Sequence, residues 1–452
     1  MNIFMSVRGW VHRPLAFIVV LLFCIVAGCD KPASTPATVT FLNAWWLHPN
    51  ELPRAEREFR EFSKETGIAI RHPPIPETLF SSLQPLTQLD LLRRVLRDGD
   101  PSPDVLGIDV IWPGILADDL IDLRPDFATE LSSLDPQLVS SYTVQTKVVA
   151  VPYLTHVGVL EYRTDLLRQY GYSHPPQTWD ELESMAVRIQ AGERAKGRKD
   201  FWGYVWEGAA TEGLTCTALE WQVSEGGGRI IEDDETISVN NPDTIRAWQR
   251  AARWIGRISP PGVVAYHETD SLNVWDSGNA AFRRSWEWGY SLTHLHESQV
   301  RDRTGFTSMP GGRRGRVDTL GGFGLAISRS SAHRREAVAL IRFLVGRELR
   351  SASDRSDPQT AAEPQLYDVP QVLQTYVPSS QRSKQSSRLI SRPSKVAGHS
   401  YEEVSRAYFK AVHSVLTGER SAPIAVAALE KQLVAITGFK PGPAQKVEVE
   451  HF

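Results

Sequence analysis

The sequence predicts an α/β protein with more than one domain-sized region. Strand-like apolar runs alternate with helix-periodic stretches from Thr38 onward, and the alternation restarts beyond "VVAVPYL", Val148 to Leu154. The order strand, helix, strand is that of βαβ units and argues a parallel, doubly wound sheet. A length of 452 residues allows two sizeable cores.

The elements follow in order. "TVTFLNAWW" reads as a strand, and Leu52, Ala55, Phe59 and Phe62 then recur at helical spacing until Gly67. "IAIRH" predicts the second strand and Leu83 to Leu96 the second helix. Val105 to Ile111 is a nearly unbroken apolar run, the pattern of a strand covered on both faces. Trp112-Pro113-Gly114 ends it, and one carboxylate, Asp109, stands near its C-terminal end.

In the second region "TWDE" is a capping box with Thr178 as cap and Glu181 three residues on. Asn241 caps the next helix with Pro242 at its first position. "TLGGFGLAIS", Thr319 to Ser328, predicts a strand followed by a helix bearing Val338, Ile341 and Leu344. Pro, Ser, Gln and Arg dominate Ser351 to Ser394, which reads as an exposed, loop-rich excursion. Helices around Val404–Leu416 and Pro423–Ile436 close the chain, and no solenoid-like repeat is present.

The N-terminus is of another kind. Arg8, His12 and Arg13 precede the apolar run Leu15 to Val26, which is short for a bilayer span and suits a signal-peptide core. It ends in "VAGCD", where Cys29 follows small residues as in a bacterial lipobox; an ordinary signal peptide with a spare cysteine is the alternative. Cleavage before Cys29 removes Arg8 and Arg13 and no acid, taking the formal charge from −3 to −5. Cys24 leaves with the signal and Cys29 is acylated, so Cys216 has no internal partner and stability must come from the core. "DKPASTPATVT" then reads as a solvated tether. Fully extended, its ten or so residues reach ~35 Å from the membrane.

The charge balance shows no basic excess, so no nucleic-acid surface is expected. No phosphate-binding loop, nucleophile elbow or zinc-helix motif occurs. "HLH" at His294–His296 lacks a third ligand and "GGRRGR" at Gly311–Arg316 reads as a solvated loop, so neither a metal nor a cofactor is expected. A glycosidase-like carboxylate pair stays open, because no pair is singled out. What stands out is thirteen tryptophans, several beside polar groups: Trp45, Trp46, Trp112, Trp286 and Trp288. An aromatic ring can cover the apolar face of a sugar while carboxylate and guanidinium groups serve its hydroxyl rim.

Five stretches carry a resemblance: "SPDVLGIDVIWPGILADDLIDLRP", "VPYLTHVGVLEYRTDLL", "FWGYVWEGAATEGLTCTALEW", "DSGNAAFRRSW" and "TLGGFGLAISRSSAHRREAVALIRFL". In order and spacing, from about Thr38 to Phe439, they resemble the extracellular solute-binding proteins of bacterial sugar ABC transporters, nearest the trehalose/maltose-binding branch. The resemblance implies a type II periplasmic-binding-protein-like fold: two α/β lobes, a hinge and a ligand cleft between them. The expected division is a signal peptide over 1–28, a tether over 29–37, lobe I over 38–152 with 317–350 returning to it, lobe II over 153–316 with 351–440 returning to it, and a tail over 441–452.

It also implies ligand contacts, residue by residue. Asp109 matches an acid that accepts hydrogen bonds from sugar hydroxyls, lying where ligands bind beyond strand carboxyl ends. Its alternative role is to cap the following turn through local amides. Glu51 matches an acid after the first strand, though a helix-entry acid would look the same. Trp286 matches the aromatic platform, Trp288 stands where a tyrosine is common, and Gly322 lets the backbone approach the ligand. Arg392 matches a late arginine that reaches the cleft, against the alternative of a solvated loop arginine.

Departures from the family pattern concern the ligand. His156 replaces a ligand-binding carboxylate, Leu154 replaces an aromatic, Phe323 replaces a tryptophan and Glu207 stands where an amide is usual. The expectation is a substrate-binding lipoprotein of an ABC importer rather than an enzyme. It would be a monomer held at the cell envelope by its lipid, taking a small saccharide to a membrane permease. A lipid-anchored glycoside hydrolase and a transport-independent sensor are the alternatives.

Overall fold

The computed structural model describes residues 37–43, 52–72, 85–98, 103–286, 298–355 and 388–445. Expectations for the signal peptide, Cys29, most of the tether, Trp45, Trp46, Glu51, Trp288, the "HLH" run and residues 356–387 and 446–452 lie outside the described residues. From Thr38 onward the described residues form one compact body.

The first half alternates as its apolar pattern requires. Strand β1 (Thr38–Leu42) leads to helix α1 (Leu52–Thr66), strand β2 (Ala69–Arg71), helix α2 (Pro85–Asp98) and strand β3 (Val105–Asp109). Ala55, Phe59 and Phe62 form the buried face of α1, and Phe59 meets Phe41 of β1 edge-on with ring centroids 5.1 Å apart. Burying a ring such as Phe41 contributes about 1.5–3 kcal/mol. All five residues of β3 are buried, as an unbroken apolar run demands. Short helices α3 (Pro113–Leu116), α4 (Arg124–Ser132) and α5 (Pro136–Ser141) and the small ribbon β4 (Thr143–Val144) and β5 (Lys147–Val148) follow.

Strand β6 (Val151–Arg163) carries the chain into the second lobe, with helix α6 (Thr164–Gln169), helix α7 (Trp179–Ala195), strand β7 (Trp202–Val205), helix α8 (Glu212–Glu225), helix α9 (Pro242–Trp254), helix α10 (Glu268–Asp276), strand β8 (Ala280–Trp286) and strand β9 (Thr304–Ser308). The caps sit where the sequence signals them. Thr178 Oγ1 accepts from the Glu181 amide at 3.2 Å, and Asn241 Oδ1 accepts from the Asp243 and Thr244 amides. Strand β10 (Val317–Ile327) then returns and helix α11 (Arg334–Arg355) packs on it. Strand β11 (Arg388–Ile390) and helices α12 (Ser394–Ala397), α13 (Tyr401–Leu416) and α14 (Ala422–Thr437) complete the body.

The sheet order is β2-β1-β3-β10-β6-β8-β7, with β11 beside β10 and β9 beside β6. It is mixed, which corrects the expectation of a parallel sheet. The β1–β2, β1–β3, β7–β8 and β10–β11 pairs are parallel, whereas β10 runs antiparallel to both β3 and β6. Alternation along the chain reports neighbours in sequence; it cannot report that β10 inserts between β3 and β6 from far downstream.

Two strands join the lobes. The first residues of β6, Val151 to Leu154, pair with β10 beside β3, while Gly158 to Tyr162 pair with β8 and Val159 to Arg163 with β9. One apolar core gathers Phe41, Phe59, Val105, Leu325 and Ile341 around the first lobe. The other gathers Trp179, Trp206, Trp221, Trp254 and Tyr408 in the second, and runs on into Leu106, Trp112 and Leu116.

The stretch expected to be an exposed excursion is partly ordered into the body. Helix α11 extends to Arg355, and Arg388–Ile390 adds a strand to β10 that leaves Ile390 and Arg392 buried. Polar composition marked the stretch as loop; pairing with an open strand edge overrides composition.

Candidate functional site

The candidate residues gather on four consecutive positions of β10, Leu320 to Phe323, where the chain crosses from one lobe to the other. The Leu320 carbonyl accepts from Arg392 Nη2 at 3.3 Å. Gly321 pairs with His156 of β6, and a Cβ there would lie 2.9 Å from Cζ3 of Trp286. The Gly322 carbonyl accepts from the Val110 amide at 3.0 Å, and Phe323 stands opposite Asp109. The Phe323 and His156 rings meet edge-on at 5.9 Å.

Asp109 is buried at the end of β3. Its Oδ1 accepts from the Ile111 amide at 3.1 Å, so the turn-capping role is real. Among the described residues Oδ2 takes no protein hydrogen bond. Burial pushes the carboxyl up to about 6, against the opposing pull of Arg392, the Ile111 amide and His156, with Glu212 adding to the rise.

Arg392 is buried as well, not a solvated loop arginine. Its Nη1 donates to Glu212 Oε1 at 3.0 Å, and Nη2 stands 3.9 Å from Asp109 Oδ1. Nε is buried with no partner among the described residues. A buried donor left over in this way is what a ligand hydroxyl can satisfy.

Trp286, half-buried at the end of β8, lies over the Arg284 guanidinium, 4.2 Å from ring centroid to Cζ. Arg284 is fully buried and bidentate to Glu220, at 2.9 and 3.3 Å, with Nη1 3.2 Å from Glu207. Glu207 is therefore occupied by an arginine, a structural reason for a carboxylate where the family pattern has an amide. Glu220 Oε1 also accepts from the Thr319 amide of β10 at 3.2 Å.

Gly322 has φ +119, and a Cβ there would come within 2.1 Å of the Leu154 carbonyl. Close pairing of β6 and β10 is thus sufficient to require glycine.

Sequence reasoning missed Glu212, Glu220, Arg284 and Tyr401. The signal was present in "AFRRSW": two arginines side by side in a strand point to opposite faces, and each must find a buried carboxylate. Arg283 finds Glu161 at 3.0 Å and Arg284 finds Glu220. Cys216 is buried on α8, and burial pushes its thiol up to about 12.

No cluster of metal-ligating residues occurs among the described residues. None of their helices is long and apolar enough to cross a membrane. A separate surface hollow of about 220 Å³ is lined by Glu225, Arg246, Gln249, Arg250, Arg253 and Arg313. Carboxylates of Asp180, Glu225 and Asp243 already face Arg246, Arg250 and Arg313, and no candidate residue lines it.

Two lobes with a crossed hinge and polar groups converging on the crossing define a solute-binding protein. The chain matches the bacterial extracellular solute-binding protein family over residues 55–349 and belongs to that family. It is 38% identical over 381 residues to a probable ABC transporter-binding protein of Deinococcus radiodurans, covering 83% of this chain and 89% of that one. Among solved structures it resembles maltose-bound MalE3 of T. maritima, at 29% identity and a TM-score of 0.74, over 88% of this chain and all of that one. A solute-binding protein of Thermotoga lettingae bound to α-D-tagatose shares the fold at 19% identity and a TM-score of 0.71, over 90% of this chain and all of that one.

Proposed function

We propose that the chain is the substrate-binding lipoprotein of an ABC importer and captures a small saccharide, a disaccharide such as trehalose or maltose, between its lobes. The observation that carries this is the convergence of Asp109, His156, Trp286 and Arg392 on Leu320–Phe323. Asp109 would accept hydrogen bonds from sugar hydroxyls, Arg392 Nε would donate one, and the Trp286 ring would cover an apolar sugar face. The maltose bound by the T. maritima relative supports a sugar of this size.

No covalent step is required. A ligand touching both lobes favours the closed form by its extra contacts there and by nothing else. Cys29 would carry the lipid that keeps the chain at the membrane, where a permease receives the sugar.

Isothermal titration of the chain beginning at Asp30 with trehalose, maltose and sucrose tests this. Saturable heat with one of them is expected; a micromolar constant would correspond to about −8 kcal/mol. Heat that lasts as long as sugar remains would mean turnover and a glycosidase. Silence from all three with folded protein would end the disaccharide assignment. Incorporation of labelled palmitate, lost in Cys29→Ala, tests the anchor.

A further inference from the structure

We propose that Glu212 is a positioning residue of the ligand site: from α8 it holds Arg392 away from Asp109, so that a carboxylate oxygen and an arginine donor both stay open to ligand. The proposal rests on the reading of Asp109 and Arg392 as ligand contacts.

Glu212 is buried at 2% exposure and fixed by three donors. Arg392 Nη1 reaches Oε1 at 3.0 Å, Tyr401 Oη reaches Oε1 at 2.5 Å, and Ser405 Oγ reaches Oε2 at 2.5 Å. Ser405 is itself 2.8 Å from Thr215 Oγ1. The three donors come from α13 and the segment after β11, so the carboxylate has little freedom to move.

An arginine beside a lone buried aspartate closes a short, two-pronged pair at about 2.7–2.9 Å. Here Arg392 stops at 3.9 Å from Asp109. Its Nη1 is committed to Glu212 and its Nη2 to the Leu320 carbonyl. The result is an arginine near Asp109 but not spent on it, with Nε unpartnered among the described residues. The charged and titratable groups that bear on Asp109 are Arg392, Glu212 and His156. Those bearing on Arg392 are Cys216, Tyr401, Glu212 and Asp109.

The two carboxylates therefore compete for one guanidinium. With the charge of Glu212 gone, Arg392 is released to Asp109, and the repulsion that Glu212 exerts on the Asp109 carboxylate goes with it. Both changes favour ionised Asp109, so its titration midpoint falls.

The experiment is a carbon-13 carboxyl titration of Asp109 in the ligand-free chain beginning at Asp30, with maltose affinity followed over the same pH range. In Glu212→Gln the Asp109 midpoint should drop by about one unit from its wild-type position near 6. Maltose affinity at neutral pH should fall about tenfold, and the midpoint of its pH profile should move down in step. Tyr401→Phe keeps the Glu212 charge and removes a donor that shares Oε1 with Arg392. Its Asp109 midpoint should rise, and this variant decides the matter if Glu212→Gln does not fold. An unmoved midpoint in Glu212→Gln, or an unmoved or lowered one in Tyr401→Phe, overturns the proposal. If maltose gives no heat with the wild type, the disaccharide assignment fails, while the ligand-free titration still decides the role of Glu212.

Discussion

The Trp286 indole rests on the Arg284 guanidinium, 4.2 Å from its ring centroid, while two buried carboxylates hold that guanidinium from α8 and the loop before it. One face of the ring is thus backed by a fixed cation. Replacing Trp286 by alanine should weaken binding of the cognate sugar tenfold or more, about 1.4 kcal/mol, without unfolding the chain. Titration calorimetry alongside circular dichroism measures both, and an unchanged affinity would remove Trp286 from the site.

The Arg284 network also predicts an asymmetry in stability. Arg284→Met leaves Glu207 and Glu220 buried without their cation, which should cost about 3–5 kcal/mol in urea unfolding. Glu207→Gln leaves Glu220 in place and should cost about 1 kcal/mol. Equal losses would show that Glu207 and Glu220 do not share the arginine.

Asp109 should separate binding from stability. Its folded carboxyl titrates near 6, above its ordinary 3.8, so the folded chain holds that proton more tightly than the unfolded one. The contribution of this group to stability is therefore complete below about pH 4 and is lost as the pH rises through 6. Asp109→Asn has no proton to lose. It should bind sugar at least tenfold more weakly, yet match or exceed wild-type stability at pH 7, with the two stability curves converging below pH 4. A variant less stable than wild type at pH 7 would contradict this.

Gly322→Ala should be costly for a backbone reason. The new Cβ would meet the Leu154 carbonyl at 2.1 Å, and φ +119 disfavours any side chain. A loss of about 2–3 kcal/mol in thermal unfolding is expected, whether or not sugar is present. A loss confined to sugar affinity would mean that ligand approach, not strand pairing, demands the glycine.

The element-level reading held where the signal was local. Thr178 and Asn241 cap α7 and α9 because a side-chain oxygen within three residues of free amides needs no distant partner. The buried β3 followed from its own apolar run. Asp109 and Arg392 do meet at the crossing, and resemblance to a known family brought them together, since they lie 283 positions apart. The paired arginines of "AFRRSW" signalled a need for buried carboxylates but not which ones: Glu212 and Glu220, on a helix, read as solvated until the arginine that each meets is known.

What the sequence by itself determined is the early strands and helices, the α7 and α9 caps and the two closing helices, encoded by local periodicity, and the family, carried by five motifs spread in order along the chain. Tertiary structure alone decided that β10 enters the sheet antiparallel between β3 and β6, that Arg392 is buried, and that α8 supplies the counter-charges. The reason is physical. Local structure is set by interactions along the chain, whereas the state of a buried charge depends on which partner arrives through space, and that partner leaves no periodic trace in the sequence.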